Sequence, residues 1–510
     1  MKQWLSKFRS QRLKERFKDG IGRKTPEDDL SWWNRPLFSL LIGLLLWGAA
    51  CALLLNGIDP RSGSLQATFL HAGNEVLLLI ITAVSATLLK VLTPDILRNN
   101  TRLMLLAMCA LTTAISGSLL IHDGGRGFAL PQASADLLVP VLIPFALSPL
   151  LAGILLGGSA ALVAGLWSTL TCLVIGNFTA SILLSGIIAT ATAAVLIRRL
   201  RRRTQLIRVG LTIGLLQIAS LAVMAGQLPM APHLAGKLVL ACVASGLGAA
   251  LLALLLLPLF ELLFGVTSNM TLLELSDLAH PLLQRLAFEA PGTYHHSLMV
   301  ANLAQAAADE IGANSVLARV GAYFHDIGKV TKPGYFTENI RTGDNPHDGL
   351  TPSMSAMLVM AHLKEGLTLA MLHKLPRPVM DIIQQHHGTG LVYYFHHKAG
   401  QRALADTQST ASRGKPVVDE SSYRYPGPKP YSREAAIIML ADAVEAASRS
   451  LEKPTPAGIA ELVDRITEGR IEDNQLDNCE MTLVELCRVK RAFVFCLSNM
   501  LHSRIAYPKP

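Results

Sequence analysis

The sequence predicts an all-α protein in two parts, a polytopic bundle of membrane helices followed by an all-helical soluble domain. Three observations predict it. Of the 510 residues, 51% are hydrophobic and only 16% charged, whereas ordinary soluble chains carry about 25% charged residues. The charge is also unevenly placed: residues 137–197 contain no Asp, Glu, Lys, Arg or His, and the chain becomes mixed and globular in character only after about residue 268. In that later part apolar residues recur at helical spacing, without the strong alternation of a half-buried strand.

A span needs roughly 20 apolar residues to cross the hydrocarbon core. Segments of that kind fall at 37–55, 68–89, 102–121, 137–155, 157–176, 178–197, 206–226 and 238–264. Lys and Arg favour cytoplasmic loops, and with eight spans residues 1–36, 90–101 and 198–205 share one side with the C-terminal half. Those three segments hold most of the basic residues of this half, leaving Arg61, Arg126 and Lys237 opposite. The expectation is a multi-pass protein of the bacterial inner membrane with both termini in the cytoplasm. The first span reads as an anchor rather than a cleaved signal, because a polar, basic stretch precedes it and no AxA-like site follows.

The formal charge of +9 concentrates in residues 1–35 and in RRLRRR at 198–203, beside apolar runs. Membrane lipid with anionic headgroups is therefore the expected partner, and no DNA or RNA polymer. KFRSQRLKERFK at 7–18 reads either as an amphipathic surface helix or as a solvated positive flank. Glu75 and Glu261 are assigned to membrane interfaces. The seven cysteines are scattered singly, with no CxxC, and read as reduced packing thiols.

The boundaries drawn are a basic segment 1–36, a transmembrane domain 37–264, a linker helix 265–292 and a soluble domain 293–510. Helical spacing places helices at 271–289, 293–311, 314–327, 352–372, 377–387, 433–451, 456–468 and 482–499. Thr271 and Glu274 have capping-box spacing, which predicts one stable helix over 271–289 joining the two halves. Gly312, Pro378 and Gly388 stand where helices end, begin and end. The stretch 399–431, rich in Ser, Thr, Gly and Pro, reads as a long loop.

Eleven of the 15 histidines lie between His280 and His397, a window under a quarter of the chain, and that clustering calls for a site. In YFHDIGKV, residues 323–330, His325 and Asp326 stand together near a helix end, with glycine two residues later. Neighbours on a helix point about 100° apart, so His325 can hold one metal while Asp326 reaches between two. Some 60 residues later the pair His386 and His387 ends another helix.

The series APGTYHHS (290–297), HDIGK (325–329), NIRTGDNPHD (339–348), AHLKEG (361–366), IIQQHHGT (382–389), YPGPKP (425–430) and LADAVEAASR (440–449) resembles the PgpH-type membrane HD hydrolases. That resemblance implies a seven-span membrane module coupled to a cytoplasmic HD phosphohydrolase domain that cleaves cyclic di-AMP to the linear dinucleotide pApA. It covers residues 270–508 in order. One departure stands out: members carry a large extracytoplasmic domain after their first span, whereas here only about a dozen residues around NGIDPRSGS (56–64) join the first two spans.

Carried over position by position, the implied metal ligands are His296, His325, Asp326, His362, His386, His387 and Asp442. His296, His325 and Asp442 would hold one ion, His362, His386 and His387 the other, with Asp326 bridging. Imidazoles with few carboxylates suit Fe or Mn rather than Mg, so two divalent metal ions, Fe or Mn, are the expected cofactors. Their charge exceeds that of the two carboxylates and attracts a phosphodiester. Ions about 3.5–4 Å apart activate a water and clamp the attacking and leaving oxygens, with loss of a ribose 3′ oxygen. Asp326 and Lys329 are the candidate catalytic residues; Lys329 reads either as a stabiliser of phosphate charge or as a helix-ending lysine.

His295 and His347 are candidates for contacts around the ligands, while His373, His396 and His397 are read as structural. Tyr294 and the YRYPGPKPY loop (423–431) carry rings that can stack on a base. Two rival readings remain in the sequence. One is an HD hydrolase of another nucleotide, cyclic di-GMP or an alarmone, although the cyclic di-GMP branch carries a Gly-Tyr-Pro signature that HHGTG lacks. The other is a membrane receptor that binds a nucleotide without turnover. A homodimer is compatible with either.

Overall fold

The computed structural model describes residues 33–55, 65–127, 138–197, 200, 202–225, 232–340, 345–409, 418–451 and 455–500. The basic stretch 7–18 and the connection 56–64 lie outside the described residues. Among the described residues no strand forms, and an isolated bridge pairs Leu391 with Arg424. Contacts divide the chain into two units, Met1–Ser268 and Asn269–Pro510.

The first unit contains α1 (Pro36–Leu55), α2 (Leu65–Leu92), α3 (Pro94–Arg98), α4 (Asn100–Gly127), α5 (Leu147–Leu156), α6 (Gly158–Ile175), α7 (Ala180–Ile197), α8 (Gln205–Ala225) and α9 (Pro232–Phe264). The uncharged block resolves into three passes, Leu138–Leu156, Gly158–Ile175 and Ala180–Ile197. The first is broken near Pro144, whose ring cannot donate to the helix. Neighbouring side chains take up the carbonyls at the break: Thr113 Oγ1 donates to Pro144 at 3.3 Å and Ser245 Oγ to Ile143 at 3.2 Å.

Large apolar side chains such as Leu45, Leu255 and Leu262 are 72%, 73% and 80% exposed. Water disfavours such a surface, and lipid does not. Inside, large side chains such as Trp167 and Phe145 are joined by small residues at close helix contacts. Gly165 faces Thr190 and Gly186 faces Thr169, each so closely that a Cβ would lie 2.5 Å from a threonine Oγ1, so each glycine seats a threonine side chain of the facing helix and lets α6 and α7 approach closely. Seven helices here are long and apolar enough to cross a membrane, and α8 adds a shorter apolar stretch, Gln205–Ala219. Helices form within all eight expected segments, and the chain is a multi-pass membrane protein. Glu261 accepts the Ser268 backbone N–H at 3.1 Å, closing the turn that follows α9.

The second unit contains α10 (Asn269–Leu275), α11 (Pro281–Glu289), α12 (Pro291–Glu310), α13 (Ser315–Phe324), α14 (Pro352–Leu372), α15 (Arg377–Gln385), α16 (Tyr393–Ser409), α17 (Arg433–Ser448), α18 (Pro456–Glu472) and α19 (Leu483–Met500). Asn314, Thr351, Ser432 and Thr455 cap their helices by accepting a backbone N–H from three residues ahead. Val300 and Leu303 of α12, Phe324 of α13, Ile437 and Leu440 of α17, and Phe493 of α19 meet in one core. Helix α14 also passes a membrane-span test by length and composition, at mean hydropathy 1.2 against 1.7–2.5 for the spans of the first unit. It nevertheless belongs to this unit, and its buried His362 faces the site described below.

Two expectations are corrected. The single helix over 271–289 is two helices, separated at residues 276–280. Pro281 cannot donate to a continuing ladder and forces His280 extended, at φ −58° and ψ 132°. His280 instead caps α11 by accepting the Leu282 N–H at 3.3 Å, and Asp277 accepts that of Ala279 at 2.9 Å. The second correction concerns 399–431: its first part is helical, because α16 continues to Ser409. Ala, Leu, Gln and Arg there are good helix formers and outweigh Gly400.

Candidate metal centre

Four histidines turn the same nitrogen inward, and the local backbone dictates it. Nδ1–H of His325 donates to Ala322 O at 2.7 Å, that of His362 to Val359 O at 2.6 Å, and that of His386 to Ile383 O at 3.0 Å. Each uses a carbonyl three residues back on its own helix. His296 instead donates from Nδ1 to Glu445 at 2.5 Å. Each imidazole thereby directs Nε2 towards Asp326 or Asp442.

His325 follows α13 directly, and Asp326 opens a short 3-10 turn, Ile327–Thr331. Gly328 in that turn lies against α14, where a Cβ would stand 1.9 Å from His362 O. Only glycine brings the Asp326 turn so close to the helix that carries His362. On the other side, α12 supplies His296 and α17 supplies Asp442.

The seven expected ligands come together in two groups that share Asp326: His296, His325, Asp326 and Asp442, and Asp326, His362, His386 and His387. Within each group the ligating atoms lie within 4.8 Å of one another. In the first, His296 Nε2 is 2.9 Å from Asp442 Oδ1 and 3.7 Å from Asp326 Oδ2, and His325 Nε2 is 3.3 Å from Asp326 Oδ2. In the second, His362 Nε2 and His386 Nε2 stand 3.4 Å apart, and 3.4 Å and 3.6 Å from Asp326 Oδ1. His387 is partly exposed, with Nδ1 3.7 Å from Asp442 Oδ2.

These distances test whether a cation fits. With their Nδ1 atoms turned to carbonyls, His362 and His386 bring their Nε2 atoms together beside Asp326 Oδ1. His325 Nε2 and Asp326 Oδ1 are buried without a hydrogen-bond partner, a costly condition. A positive ion in each group removes that cost, and the imidazole-rich donor set suits a divalent transition metal.

Electrostatics sort the groups further. Burial works against charge on Asp326, but Lys329 and His325 hold it well below the usual carboxylate range. Burial likewise opposes charge on His325, yet Asp326 beside it raises its pKa to about 10. Burial pushes His362 down to about 4 and His387 well below its ordinary value. Lys329 is not a solvent-facing helix end. Its ammonium lies 2.7 Å from Asp326 Oδ2 and 2.9 Å from Glu338 Oε1, and those acids raise its pKa against burial.

Several residues around the site were not singled out from the sequence. Glu445 holds His296 and is itself held by Arg449 at 2.8 Å; its position one helical turn after Asp442 was the available signal. Glu338 bonds both Lys329 and Thr293 Oγ1, and Asn339 accepts the Thr293 N–H at 3.1 Å. Phe336 presents its edge to His362, with ring centroids 5.9 Å apart. Tyr425 stacks on His387 at 4.2 Å with 23° between planes, so one ring of the aromatic loop lies on the site. Of the remaining histidines, His347 donates from Nε2 to Tyr335 O at 2.9 Å and His295 is exposed. Neither joins the seven.

A family model described as HD domain matches residues 293–447, and one described as 7TM receptor with intracellular HD hydrolase matches residues 39–268. Cyclic-di-AMP phosphodiesterase PgpH of Bacillus subtilis (strain 168) is 44% identical over 274 residues, 54% of this chain and 37% of that protein. The protein of the same name from Listeria monocytogenes serotype 1/2a is 39% identical over 382 residues, 72% of this chain and 50% of that one. The chain thus spans half or less of the length of these curated relatives. Crystal structures of the L. monocytogenes PgpH HD domain, alone and in complex with cyclic di-AMP, are 45% identical and wholly covered, matching 44% and 45% of this chain at a TM-score of 0.40. Residues 39–268 thus match the family described as 7TM receptor with intracellular HD hydrolase and residues 293–447 the HD domain, and along both units the chain is similar to the PgpH proteins.

Proposed function

We propose that the chain is a metal-dependent phosphodiesterase of the bacterial inner membrane that hydrolyses cyclic di-AMP to pApA, with its HD unit in the cytoplasm. The observation that carries this reading is the convergence of seven buried or half-buried side chains into two groups sharing one carboxylate, with imidazole lone pairs facing inward. Two divalent cations held there, Fe or Mn, would supply positive charge to a phosphodiester and lower the pKa of a water. The two relatives that carry the name cyclic-di-AMP phosphodiesterase support the choice of substrate.

The chain's own groups divide the remaining work. Carbonyls three residues back, and Glu445, fix the ring orientations before any ligand arrives, so no reorganisation is needed during reaction. Lys329 sits against Asp326 with its charge braced by Glu338, which makes it a positioning residue for the shared carboxylate. Phe336 and Tyr425 pack their rings against the His362 and His387 imidazoles. The cytoplasmic placement rests on the Lys and Arg distribution, which reporter fusions to the C-terminus test.

The test of function is product analysis on the purified full-length protein loaded with Mn, offered cyclic di-AMP, cyclic di-GMP and an alarmone separately. Formation of pApA with cyclic di-AMP as the preferred substrate is expected. Preference for another nucleotide would move the chain to a different HD activity. Tight binding of a nucleotide by metal-loaded protein without turnover would make it a receptor.

A further inference from the structure

We propose that Arg470 holds the phosphate of the cyclic dinucleotide that is not being cleaved, an assignment that rests on the phosphodiesterase reading above. Immediately after the paired histidines the chain turns: the Gly390 N–H donates to His387 O at 3.0 Å, which keeps the Cα atoms of these residues within about 7 Å. Tyr425 joins the same patch, stacked on His387 and donating its N–H to Gly390 O at 3.0 Å. Over Gly390 lies the guanidinium of Arg470, from the last turn of α18. A Cβ on Gly390 would stand 2.8 Å from Arg470 Nη1, so the missing side chain makes room for the guanidinium beside the site.

That guanidinium is half-buried and, among the described residues, makes no ion pair or hydrogen bond. Its surroundings explain why. Asp473, the C-cap of α18, is bound by Arg424 at 2.9 Å, and Arg424 also takes Glu420. Lys429 pairs with Asp477 at 3.5 Å. Asp473 and Asp477 are thus taken by other cations, and the Arg470 guanidinium lies over Gly390, whose N–H is bonded to the backbone of His387.

A cyclic dinucleotide carries two phosphodiesters in one ring. While one is cleaved, the other stands beside the centre with a full negative charge. A planar guanidinium binds phosphate oxygens in a two-pronged fashion that an ammonium cannot reproduce. Arg470 therefore contributes to binding and to the preference for a two-phosphate substrate, while bond cleavage belongs to the groups around Asp326.

The test compares two substrates on the full-length, Mn-loaded protein: cyclic di-AMP, and bis(p-nitrophenyl) phosphate, which has a single phosphodiester. Wild-type turnover of cyclic di-AMP is read first; without it, the functional reading fails and takes this proposal with it. In Arg470→Gln, KM for cyclic di-AMP should rise by at least about tenfold, the loss expected for one charged hydrogen-bonding group. The rate on bis(p-nitrophenyl) phosphate and the metal content should stay at wild-type levels, and Arg470→Lys should recover only part of the loss. An unchanged KM for cyclic di-AMP in both variants would show a helix-ending charge only. Equal losses on both substrates, or lost metal, would show a structural role; either result overturns the proposal.

Discussion

Glu445 accepts the Nδ1–H of His296 at 2.5 Å, and this one bond decides which nitrogen His296 turns to Asp442. The three other inward histidines use backbone carbonyls that no side-chain substitution removes. His296 is the exception. Glu445→Gln retains an acceptor but not the charge that makes the imidazole a better donor to a metal. Loss of such an orienting carboxylate costs about 10–100-fold in metal affinity. Glu445→Gln is therefore expected to release metal to a chelator about that much more readily, measured by elemental analysis after dialysis, with unchanged helical circular dichroism. Retention of metal at wild-type affinity would mean that the bond does not tune the site.

The expected ligands were legible for a physical reason: histidines and acids of these types rarely cluster without a shared task, and their order along the chain carried the family resemblance. The spans were legible because a helix in hydrocarbon satisfies its own backbone and shows itself by length and apolarity alone. Glu445 stood inside LADAVEAASR, but its role appears only once Asp442 is placed on the same face of α17. The bridge from Lys329 to Glu338 crosses 3-10 turns at Ile327–Thr331 and Pro333–Tyr335, where helical spacing gives no guide. The break before Pro281 was hidden by apolar residues in helical register on both sides of it, Leu272 and Leu275 before and Leu282 and Leu286 after.

Asp326→Ala removes the one carboxylate common to both groups. Metal content and cyclic di-AMP turnover are both expected to fall to background, with most of the helical signal retained, because the core of this unit is built from other helices. His373→Ala is the control: it lies after α14, exposed, with its ring 6.2 Å from that of His280 and away from the seven. It should keep metal and activity. Two bound metals and near-normal turnover in Asp326→Ala would eliminate the shared-carboxylate assignment.

Metal loading should depend on pH in one group more than in the other. Although burial opposes it, Asp326 raises the pKa of metal-free His325 to about 10, so His325 is protonated at neutral pH and a metal must displace that proton. His362 is pushed down to about 4 by burial and is already neutral. Affinity of the His296 and His325 group should therefore climb as pH rises towards 10, while His362 has no proton to give up to a metal above about pH 5. Metal content at about pH 6 is expected to be lower than at about pH 8.5, with proton release detected by calorimetry in two buffers. A pH-independent content with no proton release would contradict the assignment.

The contact between Gly328 and His362 gives the last prediction. A Cβ at Gly328 would stand 1.9 Å from His362 O and 2.5 Å from Gly366 N, both backbone atoms that cannot swing aside. Gly328→Ala must therefore push the Asp326 turn and α14 apart, and α14 carries His362. Such overpacking costs about 1–3 kcal/mol, part of it offset because alanine narrows the unfolded ensemble. The larger expected effect is geometric, since moving the added Cβ out from 1.9 Å to an ordinary contact takes about an ångström or more, enough to separate Asp326 Oδ1 from His362 Nε2, now 3.4 Å apart. Gly334→Ala, a few residues on, is the matched control because nothing lies within 4 Å of its added Cβ. Gly328→Ala should lower the melting temperature and lose metal from the His362 group, with Gly334→Ala close to wild type in both. Equal behaviour of the two variants would mean that the turn and α14 can separate without disturbing the site, and the close approach would then have no part in holding His362 to Asp326.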